Sequence, residues 1–552
     1  MMNEKLEKLS TDLRFLQKHF AFLTKLTIGL FICFIIIENT IYYLLSTKFQ
    51  KTFVFAIQYY IQRMKRVPLP DYSTMLKNYF LPLEIKFTVL AAVLTIFAII
   101  VLVRRSYIAK KQIVRGARLA SKKDIEQLKQ GRLPVGEYKI PENFENRGLI
   151  ILGTAGTGKS VLMRKMIDSI AGETAIIYDR KGEFLEKFWS EGDLILNFLD
   201  ERHLPWNLYS EIHGEDDIDS ICASIVPHTD DPRERFWRNS ARDILKAVIT
   251  KVYRDTVSPD FYSLAEFIYS ANTKEKLFEE ISKHKDLKSI IEGYISGTGE
   301  TSTSVFASYT EYANYFKNTA LLQKKGGDFS IREFIKSGKK KKIFILNPAN
   351  VESFRGLNTL FLDLAFKEIL SLPDDINRRI FLFIDEFPSL YKLDSLERLL
   401  AEGRSKGSCP IIAAQDFTQI ERIYEKGATS IFNNANTKVI FRISEARSAK
   451  YISDWLGEQE KTDLRNSLSL GTEESRDGYY FNEEHRIDRI VLPSEIANLP
   501  DLNFYLKIGN FPLVKGTVKY ESYESRTQQY IPIRKEQKEQ KEVENVDITA
   551  YL

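Results

Sequence analysis

The chain has 552 residues, 44% hydrophobic and 28% charged, enough for about three or four domain-sized units with ordinary cores. Its net charge of +5 is small for that length and by itself says nothing about nucleic acid. The three cysteines, Cys33, Cys222 and Cys409, are odd in number and far apart, which argues against a disulfide framework or a zinc site.

Leu6, Leu9, Leu13, Leu16 and Phe20 recur at helical spacing, so residues 1–23 are expected to form a cytoplasmic amphipathic segment. Two apolar runs follow, predicting membrane helices over 24–46 and 87–103, with an external loop over 47–86. Glu38 lies inside the first run. An acid at mid-membrane costs about 2.5–3.5 kcal/mol, which the surrounding Leu, Ile and Phe residues outweigh. Glu38 either sits near the headgroups or a neighbouring helix, or contributes to a subunit contact. No small-residue cleavage site follows the first run, so it is expected to anchor the chain. The cluster Arg104, Arg105, Lys110, Lys111, Arg115, Arg118, Lys122 and Lys123 after the second run argues for a cytoplasmic side. Lipid headgroups are the expected partner of that cluster. Both termini are then cytoplasmic.

Beyond Lys123, apolar strand-like runs alternate with helical stretches, the pattern of a parallel α/β sheet. The expected strands are Leu149–Leu152, Ala175–Tyr178, Ile343–Leu346, Ile380–Ile384, Ile411–Ala414 and Val439–Phe441. Polar residues follow each run, and parallel sheets bind ligands beyond the carboxyl ends of their strands. Between the second and third strands the composition turns helical. The expected organisation is a nucleotide-binding domain in two parts, 104–210 and 336–520, an all-α insert over 211–335, and a charged tail over 521–552. The predicted fold class is α/β, a RecA-like P-loop NTPase core with an inserted all-α domain, preceded by two transmembrane helices.

Gly153, Thr154, Ala155, Gly156, Thr157, Gly158, Lys159 and Ser160 form a complete G-x-x-x-x-G-K-S loop directly after the first expected strand. Glycines let backbone N–H groups turn toward phosphate oxygens, and the following helix presents its positive end to them. Lys159 is expected to reach the β- and γ-phosphates of ATP, and the Ser160 hydroxyl to bind Mg2+. Ile380–Ile384 ends in Asp385-Glu386. Asp385 is expected to hold Mg2+, directly or through water, and Glu386 to position and polarise the attacking water. That pairing points to hydrolysis as well as binding. Gln415 ends the next strand, either as a γ-phosphate sensor or as a hydrogen-bonded strand terminus. Arg404 is either a finger reaching a neighbouring subunit's nucleotide or an exposed arginine favoured at a helix C-terminus. Asp179-Arg180-Lys181-Gly182-Glu183 either adds charge to the site or starts a helix.

Together with the two apolar spans, the P-loop, Tyr178–Phe184 and Asp385-Glu386-Phe387-Pro388 give a chain that resembles the type IV coupling proteins, most of all those of F-type conjugation systems. Further matching stretches are Asp231-Pro232, Phe236-Trp237, Gly403-Arg404, Gln415-Asp416, Asn436–Arg442 and Leu499–Leu502. The resemblance implies a homo-hexameric ATPase in the bacterial inner membrane. Such an ATPase receives a relaxase–DNA complex, the relaxosome, at the type IV secretion channel and drives single-stranded DNA through it during conjugation. It also implies that Arg404 acts across subunits. F-type members carry a long C-terminal extension for docking relaxosome proteins, whereas this sequence ends at Leu552 after a short charged tail. Three other readings stay open: an FtsK-like double-stranded DNA translocase, a protein-secretion ATPase of the same systems, and a cargo receptor that uses ATP as a structural ligand.

Overall fold

The computed structural model describes residues 112–533, apart from 230, 318–326, 348–350 and 470–477. The expected segments at 1–23, 24–46, 47–86 and 87–103 lie outside the described residues, as does 534–552. No helix among the described residues is long and apolar enough to cross a membrane.

A nine-stranded sheet organises the larger unit. Its strands in chain order are β1 (Leu149–Leu152), β2 (Thr174–Tyr178), β3 (Leu194–Leu196), β4 (Lys342–Ile345), β5 (Ile380–Ile384), β6 (Ser408–Ala414), β7 (Thr437–Ile440), β8 (Asn503–Ile508) and β9 (Val514–Thr517). Their spatial order is β9-β8-β7-β1-β6-β5-β2-β4-β3. The run from β7 to β3 is parallel, and β8 and β9 close one edge antiparallel. Parallel strands are covered on both faces and so read as unbroken apolar runs. In β1 every residue is buried, yet the side chains alternate between two cores. Ile150 and Leu152 join the core shared with the helical insert, while Leu149 and Ile151 join the core on the opposite face. The same alternation separates Leu382 from Phe381 and Phe383 in β5.

Register lines up the carboxyl ends. Leu152 pairs with Ala414 on one side and Ile440 on the other, and Ile384 pairs with Ile412 and Tyr178. The residues that follow β1, β6, β5 and β2 therefore share one rim of the sheet.

Helix α1 (Lys159–Ser169) follows the P-loop, and α2 (Glu183–Phe188) follows β2. The insert contains α3 (Glu215–Ile225), α4 (Pro232–Asp255), α5 (Phe261–Ser270), α6 (Lys274–Ile281), α7 (Lys285–Ile295) and α8 (Glu300–Ala313). Its start signals are written in the sequence. Asp231 accepts from Arg233 N ahead of Pro232, Asp260 forms a capping box with Ser263, and Thr273 accepts from Lys276 N. Such caps satisfy backbone donors that the helix itself leaves free. The chain returns through α9 (Ile331–Ser337) to β4, and continues with α10 (Glu352–Ser371), α11 (Leu396–Glu402), α12 (Phe417–Tyr424), α13 (Gly427–Asn434) and α14 (Ala446–Leu456).

Four features depart from the sequence reading, one of them a two-stranded sheet of Leu133–Val135 and Tyr138–Ile140. Strands β3, β8 and β9 were not expected. Neither was a three-stranded sheet of Gln112–Gly116 with Glu458–Ser469 and Gly478–Arg489, whose residues 460–487 belong to a compact unit separate from the nucleotide core. The segment expected to begin a charged tail at 521 instead packs on the core as far as 533. Lys165 Nζ bonds Glu521 at 2.5 Å, Arg526 N donates to Glu186 O at 2.7 Å, and Ile531 N donates to Asp200 Oδ2 at 3.1 Å.

Candidate nucleotide site

The P-loop is a tight hairpin of backbone between β1 and α1. Gly153 has no room for a side chain: a Cβ there would lie 2.6 Å from Phe441 Cβ and 2.8 Å from Thr157 Oγ1. Gly156 is left-handed at φ +81°, with nothing within 4 Å of where its Cβ would stand. That open tip, with Ala155 and Gly156 exposed, leaves backbone N–H groups facing solvent, as phosphate oxygens require. The loop is braced from outside. Thr154 N and Oγ1 donate to Arg442 O at 2.8 and 3.0 Å, Thr157 Oγ1 donates to Thr154 O at 2.8 Å, and Leu502 N donates to Thr157 O at 2.8 Å.

Lys159 folds over the loop and donates to the Gly153 and Thr154 carbonyls. Burial lowers its pKa, opposed by the nearby carboxylates of Asp385 and Glu386. Ser160, next in line on α1, is half-buried. Across the rim, burial pushes the Asp385 carboxyl up to about 6 against the pull of Lys159. No side-chain hydrogen bond among the described residues reaches that carboxylate. A half-buried acid without a donor among the described residues, beside an exposed loop tip and a hydroxyl, suits a hard cation with oxygen ligands. The residues therefore fit Mg2+ and a polyphosphate.

Glu386 adopts a left-handed backbone, φ 56° and ψ 53°, and its Oε1 accepts from Gln415 Nε2 at 2.7 Å. Its Oε2 lies 3.9 Å from Arg180 Nη1. The structure thus brings Lys159, Asp385, Glu386 and Gln415 to one place, and adds Arg180, whose part the sequence left undefined. Asp179 is the helix-start residue: its carboxylate accepts from the N–H groups of Gly182, Glu183, Phe184 and Leu185 at 2.7–3.1 Å. The side chain of Arg442 pairs with Asp501 at 2.7 Å beside the loop. The bracing by Arg442 and Leu502 was not visible in the sequence, because it joins segments far apart in the chain; only the stretches Asn436–Arg442 and Leu499–Leu502 pointed there.

Arg404 is elsewhere. It is exposed in the turn between α11 and β6, at the amino end of the strand whose carboxyl end carries Gln415. Arg147, just before β1, stands close enough for the two positive charges to interact. The structure separates Arg404 from its own P-loop by the length of the sheet.

Comparison with known proteins points the same way as this architecture. The family model for the type IV secretion-system coupling protein DNA-binding domain matches residues 132–519. The coupling protein TraD of Escherichia coli (strain K12) is 28% identical over 416 residues, 73% of this chain, and the chain spans 57% of that relative's length. Among solved structures, the bacterial conjugative coupling protein TrwBdeltaN70 is 27% identical with a TM-score of 0.66, covering 76% of this chain and 97% of that one. The plasmid coupling protein TrwB in complex with ADP and Mg2+ is 26% identical with a TM-score of 0.66, covering 77% and 99%. With the P-loop, the acidic pair and the helical insert all falling inside the matched span, the chain belongs to the type IV secretion-system coupling protein family.

Proposed function

We propose that this chain is a membrane-anchored ATPase of the bacterial inner membrane. It assembles as a homo-hexamer, recruits a relaxase–DNA complex to a type IV secretion channel and drives single-stranded DNA transfer during conjugation. The observation that carries the reading is the Glu386–Gln415 hydrogen bond of 2.7 Å at the rim shared by Lys159 and Asp385. It ties a candidate water-activating carboxylate to the end of the strand beside the P-loop, so a change at the γ-phosphate can be passed to the rest of the molecule. TrwB has been solved with ADP and Mg2+ and with a non-hydrolysable ATP analogue, which supports ATP and Mg2+ as the ligands of this chain.

In this reading the N–H groups of residues 155, 156 and 158–160 cradle the phosphates and Lys159 neutralises their charge. Ser160 and Asp385 would hold Mg2+, which would offset charge on the phosphate oxygens. Glu386 orients a water in line with the γ-phosphate and accepts its proton, and Gln415 fixes the carboxylate. Arg404, exposed at the far end of the sheet, faces a neighbour's nucleotide in the ring. The membrane helices over 24–46 and 87–103 hold the ring against the channel with both termini cytoplasmic.

The test is ATP turnover by the full-length detergent-solubilised protein, with and without single-stranded DNA. Stimulation by DNA is expected, together with a loss on the order of 10²–10⁴-fold in Glu386→Gln and failure of DNA transfer by Lys159→Ala. Turnover indifferent to DNA would turn the reading toward a protein-secretion ATPase or cargo receptor. Stimulation by duplex alone would favour an FtsK-like translocase.

A further inference from the structure

A second cleft, of about 250 Å3, opens between the helical insert and the nucleotide core. One wall is aromatic. The rings of Tyr315 and Tyr391 stack at 5.4 Å and 20°, and Tyr312 meets Tyr315 edge-on at 6.0 Å. Cations stand among them: Arg355 lies 4.1 Å over the Tyr391 ring, and Arg238 and Lys392 line the same space. Arg355 Nε is buried and finds no acceptor among the described residues. Glu311 and Glu397 also line the cleft, so its charge is mixed and its cations are individually placed, unlike a uniformly basic face.

Two further observations mark the cleft as more than a packing gap. The described residues include three non-glycine residues with positive φ: Glu386, Leu502 and Glu425. The first two are at the nucleotide site, and Glu425, at φ 49°, lines this cleft. Left-handed backbone at such residues costs about 1–3 kcal/mol and concentrates where function demands it. The cleft is also wired to the catalytic rim. Phe387–Ser389 leads directly from Glu386 to Leu390, Tyr391 and Lys392, and the hydroxyls of Tyr178 and Ser389 share a 3.0 Å hydrogen bond.

Tyrosine rings interleaved with arginine and lysine are the chemistry that holds unpaired bases and their phosphates. At about 250 Å3 the cleft lies just below the roughly 300–1,000 Å3 of drug-sized ligand pockets and so admits no more than one nucleotide unit, and a duplex would present no free base face to the rings. We infer that this cleft binds one nucleotide unit, an aromatic base with its phosphate, taken from a single strand, and that its occupancy is passed to Glu386 through residues 387–391. This rests on the reading of the chain as a DNA-coupled ATPase. A free mononucleotide has the same chemistry and is the other source.

The experiment uses full-length solubilised protein with its ATP site filled by ADP and Mg2+. A short fluorescein-labelled oligothymidylate is the first probe and thymidine monophosphate the second, each followed by ultraviolet crosslinking and peptide mapping. Oligothymidylate crosslinks at Tyr312, Tyr315 or Tyr391 are expected. Tyr312→Ala should weaken its binding at least about fivefold, the loss of one stacked base, while Tyr312→Phe retains it. Lys392→Gln, a half-buried side chain on the edge of the cleft, provides a second variant with little risk to folding and should also weaken binding. Wild-type affinity in both Tyr312→Ala and Lys392→Gln, with crosslinks elsewhere, would overturn the inference and leave the DNA-coupled reading standing. Crosslinking of thymidine monophosphate to the tyrosines without any binding of oligothymidylate would sustain the cleft as a free-nucleotide site and remove the DNA-coupled reading. If neither probe reaches the tyrosines, the inference is wrong.

Discussion

Glu386 combines a left-handed backbone with a carboxylate held from both sides, by Gln415 at 2.7 Å and by Arg180 at 3.9 Å. Hydrogen bonds that orient metal-ligating side chains are worth about 10–100-fold in affinity or activity, and a bond that orients a water-activating carboxylate is of the same kind. Gln415→Ala is therefore expected to lower ATP turnover by about that factor while ADP affinity, measured by calorimetry, stays within a fewfold. Equal loss of both would make Gln415 a binding residue instead. Asp179, on the same rim and close enough to feel the charge of Asp385, offers a pH test. Burial raises its carboxyl to about 7, against four N–H donors that favour the charged form. An acid raised in the folded state keeps its proton there while the unfolded chain has already lost it. It thus costs stability progressively as pH rises from its unfolded value near 3.8 to about 7, and no more beyond. The melting temperature of Asp179→Asn, relative to the unsubstituted chain, should rise across that window and then level off. A difference that does not change with pH would show that Asp179 is ionised throughout. At this scale the placement of Lys159, Asp385, Glu386 and Gln415 was legible, since each stands in or just after an apolar run that could only be a buried strand. Arg180 was legible only as one of a charged stretch that either adds to the site or starts a helix, and the Thr154–Arg442 bracing was not, because it joins segments that only the folded sheet brings together.

Buried strands announce themselves, and the six expected ones all lie in the sheet. Those missed fail the pattern for physical reasons. Leu194–Leu196 is only 3 residues long, and Val514–Thr517 alternates buried with exposed residues at the sheet's edge. The pair Glu458–Ser469 and Gly478–Arg489 is so polar that it reads as solvated loop. One buried carboxylate ties the entry of the insert to its exit, alongside the core that insert and sheet share. Glu211 is buried, and it accepts from Trp206 Nε1, Ser330 Oγ, Ile331 N and Arg332 N at 2.7–3.3 Å. Removing the acceptor leaves buried donors unpaired, at about 1–3 kcal/mol each. Glu211→Ala should destabilise the fold by about 2–4 kcal/mol in denaturant unfolding. A change below 0.5 kcal/mol, roughly that of an ordinary surface substitution, would mean that packing alone closes this junction.

Arg404 and its own P-loop stand at opposite ends of the sheet, so one subunit cannot use both on the same nucleotide. This makes the whole-molecule prediction one of complementation. Arg404→Ala rings should lose turnover about a thousandfold while still binding ATP, and Lys159→Ala rings should be equally inactive. Mixed rings should regain activity, because each Lys159→Ala subunit still offers an arginine to an intact site next door. Inactive mixtures would confine Arg404 to a structural role. The sequence conveyed the alternation of core and insert but not the strands Glu458–Ser469 and Gly478–Arg489, which carry no apolar signature of their own. The junction at Glu211 has a consequence for how such chains diverge. Residues 211 and 331, 120 apart in sequence, meet within hydrogen-bonding distance, so the sheet receives the chain back almost where it let it go. Closing a longer excursion costs little, about 0.6 kcal/mol for each doubling. Insertions and deletions among relatives should therefore accumulate between these two positions, leaving the strand spacing of the sheet, and the rim it builds, untouched.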